Sequence, residues 1–295
     1  MVGKNVVIKE KLSLKNDYVF ERIFSKEGNE EYLKEFLSDL LKLDIKEIKI
    51  EHDVVLEKNL RDEKVGILDI KATLNENTIV DIEMQMVNEH NIIKRSLFYA
   101  GKMIAEQLKS GEIYKQLKPV IVIFIMDFNY FNFDEYITES KIVLEKHREY
   151  ELTNNIKLCY VELPKFRKSD NIENNKTSHW LTFLDGEKQE ELKKVMSENN
   201  LVKKANEELE YLSGDEEARR MAELRLKYKR EMASMKNDGI EIGMEIGKKQ
   251  GIKEGQKRKQ NEIVKKMLES GIDVETIIKI TDMSLGEIRK IKKED

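Results

Sequence analysis

The stretch "LDIKATLNENTIVDIEMQM", residues 68–86, contains two runs in which polar and apolar residues alternate. Such alternation puts polar side chains on one face of a β-strand and apolar side chains on the other. The short polar segment "NEN", residues 75–77, separates the runs and is typical of a tight hairpin loop. The polar faces carry Asp69, Lys71 and Thr73 in the first run and Asp81, Glu83 and Gln85 in the second. The sequence therefore predicts an antiparallel hairpin with its apolar face turned to a core.

Both apolar faces reach the same core only if the numbers of paired residues add up to an even number, because a slip of one residue turns every side chain to the opposite face. With the turn centred on Glu76, Asp69 lies opposite Glu83. Lys71 then lies opposite Asp81. Directly opposed Cβ atoms are about 4.5–5.5 Å apart, and like charges there are destabilising. Two interpretations stay open: a solvated face on which the acids splay apart, or a divalent cation, for which Mg²⁺ is suited by its preference for oxygen ligands.

Helical and extended patterns alternate on both sides of the hairpin. Two amphipathic helices precede it, in "NDYVFERIF" and "NEEYLKEFLSDLLKL". Extended segments are predicted at 46–57, 66–74, 79–87 and 118–127, at Ser140–Glu145 and at Ile156–Leu163, with a helix at 90–116. This order indicates an α/β fold. From "HWLTFLDGEKQEELKK" onward the pattern is helical, so we expect a core over residues 1–186, a helical connector over 187–236 and a helical tail over 237–295.

Composition limits the class of protein. Apolar residues make up 40% of the 295 residues, which is enough for a buried core. Charged residues make up 37% but nearly balance at a net charge of −4, so the whole chain has no strong field for nucleic acid or membranes. The single cysteine, Cys159, excludes an internal disulfide framework. The longest apolar stretch, residues 119–126, is too short to span a bilayer, so we expect a cytoplasmic protein outside the membrane.

Glycines at strict four-residue spacing mark the tail. This glycine stripe consists of Gly239, Gly243, Gly247, Gly251 and Gly255. In a helix each interior glycine costs about 0.8–1.0 kcal/mol relative to alanine, unless close packing against another helix compensates. Self-association into a homo-oligomer through the glycine stripe is the favoured interpretation, and a frayed, flexible helix is the alternative.

Basic residues overlap the glycine stripe and continue beyond it. This basic stripe includes Lys248, Lys249, Lys253, Lys257, Arg258 and Lys259. Such residues bind phosphates of any base sequence by releasing counterions, so DNA is the expected partner. The last segment, "ESGIDVETIIKITDMSLGEIRKI", predicts two short helices with Asp273 and Ser284 as N-caps. The pair resembles a helix-turn-helix, although such pairs also serve as packing modules.

The hairpin sequence resembles the Asp…Glu-x-Gln signature of PD-(D/E)XK nucleases, in the branch of recombination-promoting or transposase-like nucleases. The likeness extends to "NDYVFERIFSKEGNEEYLKEFLSDLL", to "RSLFYAGKMIAEQLKSGEIYKQLKPVIVIFIMDF", to "HWLTFL" and to the glycine-rich tail, and covers most of the chain. The resemblance implies a restriction-endonuclease-like core, with a mixed central sheet flanked by helices, that cuts DNA with Mg²⁺ or alternatively Mn²⁺. It also implies metal ligands at Asp69 and Glu83 and a third strand position at Gln85.

Gln85 departs from the lysine of the broad superfamily, although glutamine is usual in the branch that this chain resembles. An amide supplies no positive charge to the attacking water or to the developing phosphorane. The next helix offers a cation instead, because Arg95, Tyr99 and Lys102 share one face at i, i+4 and i+7. The alternative is that this face is only solvated or paired with nearby acids. Asp17 either completes the acidic cluster or is only the N-terminal charge of its helix, and the second interpretation is favoured.

The sequence thus predicts a magnesium-dependent DNA endonuclease. Its candidate catalytic residues are Asp69, Glu83, Gln85, Arg95 and Lys102, and Asp17, Asp81 and Tyr99 are further candidates for the site. In such an enzyme the metal-bound carboxylates orient and acidify a water for attack on phosphorus. Two other functions stay open: a catalytically inactive module that binds DNA or protein, and a nuclease that acts on RNA.

Overall fold

The structure is a computed structural model that describes residues 10–51, 55–56, 66–170 and 172–293. The chain divides into two compact units between Leu226 and Lys227. In chain order the first unit contains α1 (Asp17–Phe24), α2 (Glu30–Leu41), β1 (Ile48–Glu51), β2 (Val55–Leu56), β3 (Gly66–Ile67), β4 (Ile70–Leu74), β5 (Thr78–Gln85), α3 (Ile92–Ala105), β6 (Val120–Met126), β7 (Ile137–Glu139), β8 (Ile142–Leu144), β9 (His147–Thr153), β10 (Ile156–Glu162), α4 (Leu163–Lys168), α5 (Lys176–Asp185), α6 (Gln189–Glu198), α7 (Asn200–Gly214) and the start of α8 (Glu216–Glu269). The second unit contains the rest of α8 with α9 (Val274–Thr281) and α10 (Leu285–Lys293).

A mixed sheet of six strands forms the centre of the first unit, in the order β1-β4-β5-β6-β10-β7. Strand β6 pairs in parallel with both β5 and β10, whereas the outer pairs are antiparallel. All residues of β6 are buried, as expected for a central parallel strand covered on both faces. Helices flank the sheet and follow it in the chain, so the predicted α/β class and restriction-endonuclease-like arrangement are confirmed.

The loop between β4 and β5 is as short as the sequence predicts. Asn75 and Glu76 adopt the left-handed backbone conformation, with φ of 47° and 60°. Asparagine tolerates this region better than most residues, because its side chain forms local hydrogen bonds. The Asn75 side chain accepts hydrogen bonds from the Lys46 and Glu47 N–H groups, at 2.8 and 3.2 Å, and donates one to the Asp44 carbonyl at 2.8 Å. These bonds fix the turn against the segment that leads into β1.

The predicted register of this hairpin is confirmed. Lys71 pairs with Asp81 and Ile70 pairs with Ile82, so Asp69 lies at the level of Glu83 just before β4 begins. The strands therefore turn Asp69, Asp81 and Glu83 to the same face of the sheet.

The two faces of the sheet pack against different helices. On one face, Val80, Ile82 and Met84 join the larger core with residues of α1, α2 and α5, such as Phe20, Phe36 and Trp180. On the other face, α3 packs over the sheet, and its Tyr99 joins Phe124 and Tyr160 in the second core. The polar face of β5 lies on this second side. Asp81 and Glu83 are each 0% exposed, so the interpretation of a solvated face is wrong.

Some elements differ from those that the sequence predicts. Helix α3 ends at Ala105 rather than at 116, because the Gln107 side chain and the Lys118 backbone bind each other and close a loop that contains Gly111 at φ 93°. Strand β9 was not expected, because its sequence "HREYELT" is polar and exposed. Residues 52–54 and 57 of the extended segment predicted at 46–57 lie outside the described residues.

Helices α6 and α7 cover part of the larger core, to which they contribute Leu192, Val202 and Leu209. Residues 187–236, predicted as a helical connector, contain α6, α7 and part of α8. Part of this range belongs to the first unit.

The second unit has a small core of its own. Val264 of α8 packs with Ile277 and Ile288 of the two short helices that the sequence predicts. Asp273 caps α9 by accepting from the Thr276 N–H at 3.0 Å. Helix α8 continues unbroken through the glycine stripe, and a Cβ added at any of these glycines would meet nothing within 4 Å. Across the described residues, no helix is both long and apolar enough to traverse a bilayer.

Candidate active site

The β4–β5 hairpin brings Asp69 and Glu83 together through their backbones. The Met84 N–H donates to Asp69 Oδ2 at 2.8 Å, and the Asp69 N–H donates to Glu83 Oε1 at 3.2 Å. Each carboxylate thus accepts a hydrogen bond from the strand that carries the other. The pairing follows directly from the register, and it places two oxygen-rich side chains side by side.

Arg95 of α3 binds this pair from the helix that covers it. Its Nη2 donates to Glu83 Oε2 at 2.7 Å, its Nη1 donates to Gln85 Oε1 at 2.9 Å, and its Nε donates to the Tyr99 hydroxyl at 2.9 Å. Gln85 Nε2 also donates to Glu83 Oε2 at 3.2 Å. The guanidinium lies over the rings of Tyr99 and Phe124, 5.2 and 5.9 Å from their centroids. The structure therefore brings together Glu83, Gln85, Arg95 and Tyr99, all of which the sequence had singled out.

Gln85 links Arg95 to Glu83 through its side-chain amide. Its amide oxygen accepts from the guanidinium, while its amide nitrogen donates to the same Glu83 oxygen that Arg95 binds. A lysine at this position would compete with Arg95 for Glu83. The glutamine instead holds the guanidinium of Arg95 beside Glu83.

Burial dominates the electrostatics of the acids. Burial, and then the charge of Asp69, raises the pKa of Asp81 and that of Glu83 well above their usual range, while Arg95 acts in the opposite direction on both. Burial and the charge of Glu83 also raise the pKa of Tyr99. For Arg95, burial lowers the pKa, but Glu83 and the other partners more than offset this and raise it. Burial thus favours the protonated forms of Asp81 and Glu83, and the charge of Arg95 opposes this effect.

Lys102 and Asp17 are two further candidates for the site. Lys102 lies in the last turn of α3 and is half-buried. Asp17 is the first residue of α1, where its Oδ1 accepts from the Tyr18 N–H at 2.9 Å, while the neighbouring Asn16 is the N-cap. Asp17 thus lies in the first turn of α1, where a negative charge is favourable.

A second group of acids, which the sequence did not predict, lies elsewhere in the first unit. Oxygen atoms of Asp127, Asp185 and Glu187 lie within 4.8 Å of one another, which is close enough to hold a metal ion. Lys15 forms ion pairs with all three, at 3.2, 3.1 and 2.8 Å, and Arg167 also pairs with all three. Two cations already stabilise this group. The only sequence signal was the position of Asp127 directly after a buried strand.

The donor set at the hairpin fits a hard divalent cation. Asp69 and Glu83 supply carboxylate oxygens on adjacent strands, and both oxygens of the buried Asp81 have no hydrogen-bond partner among the described residues. The oxygens of Asp69, Asp81 and Glu83 do not converge as closely as those of the second acidic group. Mutual repulsion is a sufficient reason for that separation.

Comparison with known families identifies this arrangement. Residues 14–239 match the model of the PD-(D/E)XK nuclease family transposases. The chain belongs to this family. No curated protein and no solved structure shows significant similarity to the chain.

Membership in the PD-(D/E)XK nuclease family transposases agrees with the mixed sheet and supports a nuclease-like or transposase-like function. The family match includes the whole hairpin and α3 but ends at the first glycine of the stripe. The basic stripe lies beyond it, on an exposed part of α8. Within this stripe Lys249 forms an ion pair with Glu245 at 2.6 Å.

Proposed function

We propose that this protein is a magnesium-dependent endonuclease that hydrolyses phosphodiester bonds of DNA, with Mn²⁺ as an alternative ion. The observation that carries the proposal is the contact of Asp69 and Glu83 across the hairpin, with Arg95 bound beside them. Two acids held this close together gain nothing in a merely structural hairpin, because like charges at opposed positions destabilise it. Membership of a nuclease family supports the same conclusion.

Asp69 and Glu83 would hold the cation, which when bound supplies Lewis acidity and an acidified water. Gln85 orients both Glu83 and Arg95 through its amide group. Nη1 and Nη2 of Arg95 each carry a second N–H beyond the one bound to Gln85 or Glu83, and these would contact a phosphate, while the position of the guanidinium over the Tyr99 ring keeps it in place. Lys102 is the second candidate for a phosphate contact from the same helix.

The tail would hold the substrate and join subunits. The basic stripe is exposed on α8, where Lys248, Lys253 and Lys257 extend into solvent and can bind DNA phosphates through counterion release. The glycine stripe leaves open space along the same helix, which supports a homo-oligomer formed by helix packing. We place the protein in the cytoplasm, outside membranes.

One assay tests the catalytic proposal. Purified protein is incubated with supercoiled plasmid in Mg²⁺ or in EDTA, and with an RNA transcript of the same sequence. Nicking of the plasmid in Mg²⁺ alone is expected, with loss of activity in Asp69→Asn and Glu83→Gln. Glu76→Gln is the matched control, because it removes an exposed acid from the turn of the same hairpin.

Cleavage of RNA alone would replace DNA by RNA as the substrate. Absence of cleavage of both substrates, together with metal-independent binding of DNA, would identify an inactive binding module.

A further inference from the structure

Asp81 is a buried carboxylate in an unusual environment. It lies two residues before Glu83 on the same face of β5, and its side chain is 0% exposed. Neither of its carboxylate oxygens has a hydrogen-bond partner among the described residues. A buried polar group without a hydrogen-bond partner is destabilising, and buried polar groups in folded proteins are therefore usually paired. Asp81 thus lacks the partner that a buried carboxyl group normally has.

The two basic side chains that act on the charge of Asp81, Arg95 and Lys71, form their direct contacts with other groups. Lys71, the cross-strand partner of Asp81, forms an ion pair with Glu51 of β1 at 3.1 Å. Arg95 directs its guanidinium to Glu83, Gln85 and Tyr99. Neither side chain donates a hydrogen bond to Asp81.

Basic side chains contact all three carboxylates of the second acidic group. There, Lys15 and Arg167 each form ion pairs with all three carboxylates. At the hairpin, Arg95 forms an ion pair with Glu83 at 2.7 Å. Asp81 differs from all of these acids, because neither of its carboxylate oxygens has a hydrogen-bond partner among the described residues.

We propose that Asp81 is a third carboxylate of the divalent-cation site at Asp69 and Glu83, and that it binds the cation directly or through one of its waters. The inference rests on the proposed function, because it requires the cation site at the hairpin. Mg²⁺ usually keeps several waters, and buried acceptors beside the primary ligands hold these waters in place. The cation also draws together three acids that repel one another without it.

The test measures Mn²⁺ binding to the full-length chain by titration calorimetry, without any substrate. Asp81→Asn keeps the size of the side chain and removes its charge. We expect it to bind Mn²⁺ about 10–100-fold more weakly than the wild type, as is typical when a partner of a metal site is lost. Its melting temperature without metal should equal or exceed that of the wild type, because an uncompensated buried charge is removed.

Two variants complete the experiment. Glu51→Gln removes an acid from the same sheet face, one strand beyond Lys71, and should leave the Mn²⁺ affinity unchanged. Asp69→Asn should abolish binding. If Asp69→Asn does so while Asp81→Asn binds as the wild type does, the assignment of Asp81 is overturned and the proposed function stands. If Asp69→Asn binds Mn²⁺ normally and Asp185→Asn does not, the cation belongs to the second acidic group, and both proposals fail.

Discussion

At the scale of single residues, Arg95 provides a positive charge that stabilises the buried Glu83. Its guanidinium binds Glu83, which is 0% exposed, and is itself largely enclosed between α3 and the sheet. Removal of one partner of a buried ion pair leaves the other charge without compensation. The same contact also holds the guanidinium close to the candidate metal ligands, so Arg95 links the stability of the core to the chemistry of the site.

Arg95→Ala should therefore lower the free energy of unfolding by about 3–5 kcal/mol in the absence of metal. The double variant Arg95→Ala with Glu83→Gln should recover much of this loss, because no buried carboxylate then remains unpaired at that position. Urea denaturation of the three proteins measures both effects. Equal stability of Arg95→Ala and the wild type would show that the ion pair does not support the fold.

A second prediction separates positioning from charge at Gln85. Gln85→Glu keeps the acceptor for Arg95 but removes the donor to Glu83 and adds a like charge beside it. We expect metal-dependent nicking to fall while Arg95 remains bound, whereas Gln85→Asn should lose activity through its shorter reach. Cleavage kinetics on the plasmid substrate, with Mn²⁺ affinity measured in parallel, distinguish a loss of positioning from an effect of the added charge. Unchanged cleavage in both variants would contradict a positioning function for Gln85.

At the scale of elements, the hairpin could be predicted from the sequence in detail, whereas the end of α3 and strand β9 could not. Its register follows from an alternation of period two and a loop of fixed length, both of which are local properties. The end of α3 depends instead on a tether between Gln107 and Lys118, which no periodicity reveals. The acidic group of Asp127, Asp185 and Glu187 joins residues far apart in the chain, so it becomes visible only in the fold.

The turn of the hairpin offers a test at this scale. Asn75→Ala should lower the free energy of unfolding by about 1–2 kcal/mol, because alanine is strained at positive φ and cannot replace the side-chain bonds to Lys46 and Glu47. Glu76→Gly is the matched control: it also lies at positive φ, but its side chain is exposed and glycine relieves the strain. Chemical denaturation should show a loss in the first variant and none in the second. An equal loss of unfolding free energy in both variants would show that the side-chain hydrogen bonds of Asn75 do not stabilise the turn.

Helix α8 provides the other test of an element. A side chain at Gly243, Gly247 or Gly251 meets nothing within the chain, so alanine there should raise helix stability by about 0.8–1.0 kcal/mol per site if the helix is free. If the glycine stripe joins subunits, leucine at all three sites should reduce the mass toward that of the monomer. Light scattering measures the mass, and circular dichroism the helicity. An oligomer that survives the three leucines does not depend on the stripe.

At the scale of the whole molecule, the core and the tail have separate functions in the proposed enzyme. The larger core takes its last buried residues from the start of α8, at Ala222, whereas the basic stripe lies well beyond that residue. A chain that ends at Lys236 keeps every strand and the complete candidate site. Core stability and DNA affinity can therefore be altered independently.

Deletion of residues 237–295 should leave a cooperatively folding protein that still cleaves DNA at low salt in a metal-dependent manner. Its affinity for DNA should fall and depend less steeply on salt, because each lost phosphate contact removes about 0.9 from the slope of log K against log salt. Anisotropy of a labelled duplex over a salt series measures this slope. The full-length variant with Lys248, Lys253 and Lys257 changed to glutamine should show the same flattening without any loss of mass. A slope unchanged by truncation would assign the entire DNA contact to the core.

Asp69 and Glu83 lie 14 residues apart in the chain. Closing so small a loop costs little entropy, so we expect the hairpin to form early, before α3 docks and supplies Arg95. During that interval the acids would face each other without the arginine, and their repulsion would slow folding. If the proposed cation site forms with the hairpin, divalent cations should raise the refolding rate of the wild type but not that of Asp69→Asn, so an ion proposed for cleavage would also govern how fast the chain folds.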